Sequence, residues 1–339
     1  MNKCKKYLDE IDVNSAKTIQ SSTFLEALKS DQKIKLEKTI NLLTADNKLD
    51  STVVFRGVGY SHLLPILTLK NNRVDERKLI SLLFYFGEKA KNYYKCDNKK
   101  AEDSRWIKDI EDCSEVTIET IYEKIKKVLK NNRDEISKFK KNSPDFSEFF
   151  LGNNKAEFVE LVKGNVSLRD YYLFFLHTAG KIGIDEKDIL VSTSTSPEVP
   201  PNFFIADENN YVICYVIPPK LEKYSVSYLT VANDNFVKDH SNKLPVYERH
   251  SLYEDQNEIA VKGALFSHNM LGIMKYSKKL KKTFFANPHL FTAINTPSDI
   301  LKGLFFDQSF FDVKLKETGY YRGVGLSVDA QYHTIHTNT

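Results

Sequence analysis

The strongest constraint on how this chain folds is a change of hydrophobic period along its length. From about residue 74 to 182 apolar side chains recur at helical spacing: Leu79, Leu82, Leu83 and Phe86, then Ile118, Ile121, Ile125, Val128 and Leu129, then Tyr171, Leu173, Phe174 and Leu176. That stretch is predicted to be helical. After Gly183 the apolar residues come in short β-branched and aromatic runs, Ile189-Leu190-Val191, Tyr211–Ile217, Glu258–Val261 and Leu265-Phe266, separated by Pro, Asn and Gly clusters. The C-terminal half therefore reads as mostly sheet, and Pro218-Pro219 closes one strand because proline cannot donate to a ladder.

Ahead of residue 74, residues 14–47 read as helical, with Thr23 and Glu26 as a capping box before Phe24, Leu25 and Leu28. Thr52-Val53-Val54-Phe55 reads as a buried strand that stops at Arg56-Gly57. Lys138–Pro144 is expected to be an exposed loop, and Asp329–Thr339 a frayed polar tail.

A length of 339 residues allows roughly two domains or one large one. The division expected is an N-terminal helical region over 1–50 and a main domain over 51–339, the latter carrying a helical insertion at about 74–182. Hydrophobic residues at 41% and charged residues at 28% exclude a chain that is disordered throughout. Lys and Arg outnumber Asp and Glu only 49 to 45, and a formal charge of +4 by itself implies neither a nucleic-acid nor a membrane partner. Cys4, Cys96, Cys113 and Cys214 have neither zinc-site spacing nor the density of a disulfide framework, which fits a reducing compartment. The N-terminal residues lack the apolar stretch of a secretory signal, and no run reaches the roughly 18 apolar residues of a membrane span. The expectation is a cytoplasmic protein, or one delivered into a target cell by a route that needs no signal peptide.

Three short segments carry chemistry. Val53-Val54-Phe55-Arg56-Gly57-Val58-Gly59 puts an arginine at a strand beside glycines that let a ligand approach the backbone. Ile189-Leu190-Val191-Ser192-Thr193-Ser194-Thr195-Ser196 is a strand running into hydroxyls, with Phe203-Phe204 following. Tyr253-Glu254-Asp255-Gln256-Asn257-Glu258-Ile259-Ala260-Val261 is a polar loop entering a strand. If that strand begins at Gln256, Gln256 and Glu258 share a face. A hydroxyl run can fix a carboxylate's rotamer, and a guanidinium can grip a pyrophosphate through a bidentate fork.

Strand–Arg, strand–Ser-Thr-Ser and aromatic–Gln-x-Glu–strand, in that order, resemble the Arg–Ser–Glu class of mono-ADP-ribosyltransferases, which includes clostridial exoenzymes and the vertebrate arginine-specific enzymes. Phe55-Arg56-Gly57-Val58 is similar to the family's aromatic-Arg-Gly-Val strand end, and Glu258-Ile259-Ala260-Val261-Lys262-Gly263 to its Glu-hydrophobic continuation. The resemblance covers about residues 51–60 and 185–276. The interval between Arg56 and Ser194 is longer than the family core needs, so helices must be inserted there. Tyr321-Arg322-Gly323-Val324-Gly325 echoes the first motif but follows the Glu motif, which would demand a permuted order. Two registers, Ser192-Thr193-Ser194 and Ser194-Thr195-Ser196, fit the hydroxyl motif, and both contain Ser194.

The resemblance implies an α+β fold: a core of two packed β-sheets around an NAD cleft, with N-terminal and inserted helices. It implies that NAD+ is consumed as co-substrate, and that no metal is required. A redox role for NAD is excluded separately, since no glycine-rich strand–turn–helix fingerprint is present. By resemblance Glu258 hydrogen-bonds the ribose 2′-hydroxyl and stabilises an oxocarbenium-like transition state. Ser194 would orient Glu258. Arg56, beside Gly57, would hold the NAD phosphates with Ser192 and Thr193, and Phe203 or Phe204 would cover the nicotinamide.

In this family Glu at the position of Gln256 goes with arginine acceptors, whereas Gln is found in enzymes that modify asparagine or glutamine side chains and in a branch that modifies guanine bases. Tyr253 falls where the family carries an aromatic residue that meets the target. The function expected is ADP-ribosylation of a protein side chain by a toxin or effector. The alternatives are modification of an RNA or DNA base by a toxin or phage-defence protein, NAD hydrolysis, and a binding protein with a vestigial site. For the toxin of a toxin–antitoxin or phage-defence system, an inhibitory antitoxin or immunity protein is the partner expected.

Overall fold

The computed structural model describes residues 7–21, 24–45, 52–59, 76–87, 107, 112–179, 189–198, 200, 209–217, 225–227, 239–240, 242–247, 257–262, 265, 269–277, 282–292, 324–325 and 336–337. Helices and a mixed β-sheet make up the fold, as an α+β reading requires. The chain divides into two compact units. The first is Met1–Asp103, Val191–Ser225 and Gly263–Thr339; the second is Ser104–Leu190 and Val226–Lys262.

The first unit begins with β1 (Lys17–Ser21) and β2 (Phe24–Ala27), followed by α1 (Ser30–Thr44), β3 (Thr52–Gly59) and α2 (Glu76–Phe86). It continues with β4 (Leu190–Ser194), all but the first residue of which belongs here, and β5 (Asn209–Ile217). Between β5 and the strands that close this unit, the second unit contributes most of β6 (Ser225–Ser227) and all of β7 (Glu258–Lys262). The first unit then ends with β8 (Met270–Ser277) and β9 (Lys282–Ala286). Its strands run in the order β2, β1, β9, β8, β5, β3, β4. All neighbours pair antiparallel except β1 with β9, where Lys17 lies parallel to Phe285 and Thr18 Oγ1 donates to Ala286 O at 2.9 Å. The two separate sheets expected for the core are replaced in this unit by one continuous order, because β5 is hydrogen-bonded along both edges, to β3 and to β8.

Strand alternation sorts the two faces of this sheet. Val53 and Phe55 of β3, Val212, Cys214 and Val216 of β5, Met274 of β8 and Phe284 of β9 face a core closed by Leu36, Ile40 and Leu43 of α1. The opposite face carries Arg56, Tyr211 and Lys275, the last two of which meet the Glu76 carboxylate of α2 at 2.8 and 2.5 Å. Gly272 of β8 allows the Phe284 ring and the Phe285 carbonyl to approach, since a Cβ there would lie 2.3 and 2.5 Å from them.

The second unit is helical where the sequence is: α3 (Glu115–Leu129), α4 (Asp134–Asn142), α5 (Pro144–Leu151), α6 (Lys155–Val162) and α7 (Val166–Ala179). Its core is aromatic. Phe146 meets Phe150, Phe175, Phe139 and Tyr247 at centroid distances of 4.8, 4.9, 5.6 and 5.6 Å, the spacing at which edge-to-face and tilted pairs add to burial.

Three local expectations are corrected. Lys17–Ser21 and Phe24–Ala27 pair as antiparallel strands rather than helix, with Lys17 opposite Ala27 and Ile19 opposite Leu25, because pairing onto β9 overrides local propensity; Thr23 lies outside the described residues. Helix α1 starts only at Ser30, where Lys29 N donates to Gln32 Oε1 at 3.0 Å, so Glu26 is a strand residue and no capping partner. Lys138–Asn142 is the second half of α4 rather than loop, anchored by buried Ile136 and Phe139, and Pro144 opens α5 at a position that needs no N–H. In the C-terminal segment Val324 pairs with Thr337 and Gly325 with His336.

Candidate functional site

Arg56 sits inside β3 rather than at its end, since the strand runs on through Gly59. Its Nη1 donates to Ser192 O at 2.8 Å, and the neighbouring Phe55 lies opposite Ser194 on β4. The arginine and the first hydroxyl register are thereby brought together in the first unit across an interval of 136 residues. Ser192-Thr193-Ser194 lies within β4, while Thr195 and Ser196 follow its end, and Ser196 N donates to Ser194 Oγ at 3.0 Å. Thr193 and Ser194 are buried, Ser192 and Arg56 half-buried. Gly57 is required by crowding: a Cβ there would lie 2.4 Å from Pro200 O.

Glu258 opens β7 in the second unit. Its Oε1 lies 3.1 Å from His177 Nε2 in the last turn of α7, and both side chains are nearly buried, at 11% and 12% exposure. Four residues along the same strand face, Lys262 pairs with Asp170 of the same helix. Asp170 Oδ1 also accepts from Arg169 Nη2 at 2.5 Å and Nε at 3.1 Å, and Arg169 Nη1 donates to Asp112 O at 2.8 Å. The guanidinium of Arg169 is fully buried, and this pairing satisfies it. Burial pushes the Asp112 carboxyl up, but hydrogen bonds from Thr117 and Ser114 outweigh it and hold the group below its ordinary value.

The shared face expected for Gln256 and Glu258 needs a strand that begins at Gln256. The strand begins at Glu258, and Asn257 has φ of 47°, a left-handed turn that interrupts the alternation. Gln256 itself, Tyr253, Phe203 and Phe204 lie outside the described residues. His177 and Asp170 were not legible as site residues in the sequence, and Lys262, a candidate for guiding nucleic-acid phosphates, is instead buried against Asp170. The available signal was a lone imidazole in the last turn of an apolar helix, seven positions after an acid and therefore two turns along the same face. Burial raises the Cys113 thiol, which favours its protonated form.

Among the described residues there is no cluster of three or more His, Cys, Asp or Glu side chains suited to a metal ion, and no helix long and apolar enough to cross a membrane. The chain matches no family model, no curated protein and no solved structure.

Proposed function

We propose that this chain is a mono-ADP-ribosyltransferase that moves ADP-ribose from NAD+ to a macromolecular acceptor, a protein side chain modified by a toxin or effector. The observation that carries the reading is the bond from Arg56 Nη1 to Ser192 O at 2.8 Å. It aligns a guanidinium with a hydroxyl-bearing strand, the pairing of groups that suits a dinucleotide's phosphates. Glu258 supplies the acid the chemistry needs, at the start of a strand and largely out of water.

In the reaction the bond between ribose C1′ and the nicotinamide nitrogen breaks, and its electron pair leaves with nicotinamide. The sugar becomes an oxocarbenium-like cation. A lone pair of the acceptor then closes on C1′ as the acceptor gives up a proton. Arg56 holds the phosphates, and the Glu258 carboxylate hydrogen-bonds the ribose 2′-hydroxyl and offsets the developing positive charge. A carboxylate in a site of low water content acts more strongly on that charge than it would in bulk solvent.

Incubating the protein with adenylate-labelled NAD+ and whole lysate tests the reading. Label is expected in protein, and Glu258→Gln is expected to lower its incorporation by roughly 10²–10³-fold or more, since an amide cannot offset the charge. Label in nucleic acid assigns the acceptor to a base, and label only in released ADP-ribose assigns it to water. NAD+ left intact in every case rejects the proposal.

A further inference from the structure

We infer that His177 is a positioning residue for Glu258, and that helix α7 holds the catalytic carboxylate by clamping β7 at both ends. This rests on the transferase reading for its functional meaning, while the clamp itself is a matter of geometry. One end is His177 Nε2 against Glu258 Oε1 at 3.1 Å, and the other is Lys262 against Asp170. The residues are spaced four apart on the strand and seven apart on the helix. Four strand residues span about 13 Å and seven helical residues about 10.5 Å, so both contacts form with the strand lying antiparallel along one helix face.

The two ends differ in kind. The Lys262 end is a buried charge network: Asp170 takes Lys262 on one oxygen and Arg169 on the other, and Arg169 reaches back to the Asp112 carbonyl. Such a network, with all its members paired, sets the register of strand on helix. The Glu258 end carries the contact between His177 Nε2 and one carboxylate oxygen, next to the left-handed Asn257 where the strand starts. The imidazole there restricts the rotamers open to Glu258, and a carboxylate oxygen accepts more than one hydrogen bond. Ordering the carboxylate before substrate arrives lowers the reorganisation needed in the transition state. His177 itself touches no reacting atom in this account.

The test compares nicotinamide release by the full chain, wild type, His177→Ala and His177→Gln, with a denaturation series on the same proteins plus Glu258→Ala and the double variant. His177→Ala is expected to lower kcat about 10–100-fold with KM for NAD+ changed less than about 2-fold, as loss of a hydrogen bond to a charged group implies. His177→Gln keeps a donor and is expected to recover kcat to within a few fold of wild type. A kcat for His177→Ala equal to wild type overturns the inference, and so does a loss that glutamine fails to restore.

The denaturation series reads the pair without NAD+. Coupled residues make the double variant lose no more stability than the more damaging single one, whereas additive losses show that the two side chains do not interact and overturn the clamp. Coupling together with a wild type that never cleaves NAD+ rejects the transferase reading and the positioning role with it, and leaves the contact as structure alone.

Discussion

At the scale of single residues the site depends on close approach as much as on charge. Gly57 lies directly beside Arg56, and a methyl group there would sit 2.4 Å from the Pro200 carbonyl, a backbone atom rather than the end of a flexible side chain. Gly57→Ala is therefore expected to cost about 1–3 kcal/mol, read as a lower urea midpoint with an unchanged slope. On the proposed transferase function, in which Arg56 holds the NAD+ phosphates, the same variant is expected to raise KM for NAD+ more than it lowers kcat. A variant with the stability and KM of the wild type would show that the Pro200 segment moves aside freely.

At the scale of elements, α7 organises the second unit. One face of the helix buries Tyr171, Tyr172 and Phe175 among the aromatic side chains of α4, α5 and the 242–247 segment. Tyr172 Oη donates to Pro245 O at 3.0 Å, and Tyr171 Oη accepts from Tyr247 N at 2.9 Å, so the segment is held by backbone as well as rings. Asp170 and His177 hold β7. Removing the Asp170 carboxylate strands two buried cations, Arg169 and Lys262, which is costlier than losing a surface ion pair. Asp170→Ala is expected to destabilise the unit by about 3–5 kcal/mol, measured as faster amide exchange across α7 and β7. Unchanged exchange there would mean that packing alone sets the strand on the helix.

At the scale of the whole molecule, each unit buries a tyrosine whose hydroxyl is held well above its ordinary value by loss of hydration, Tyr7 in the first and Tyr172 in the second. A raised folded-state value means that the unfolded chain releases the proton first. The stability these groups support is then fully present below about pH 10 and falls as pH rises beyond it. Tyr7→Phe and Tyr172→Phe are each expected to flatten the alkaline fall in denaturation midpoint, and a slope unchanged by both would assign that fall to other groups. The sequence alone determined the helical character of residues 115–129 and 166–179 and the strands at 52–55, 211–217 and 258–261, because those segments repeat at helical spacing or are short apolar runs between polar breaks. It also singled out Arg56, Ser194 and Glu258 as the residues with chemistry to offer. Tertiary structure decided the rest. Lys17–Ser21 and Phe24–Ala27 became paired strands because β9 offered an edge, a contact made across more than 250 residues that no local pattern encodes. Arg56 met Ser192, and His177 met Glu258, through strand pairing and helix–strand packing, and those partners exist only once distant segments are folded against each other.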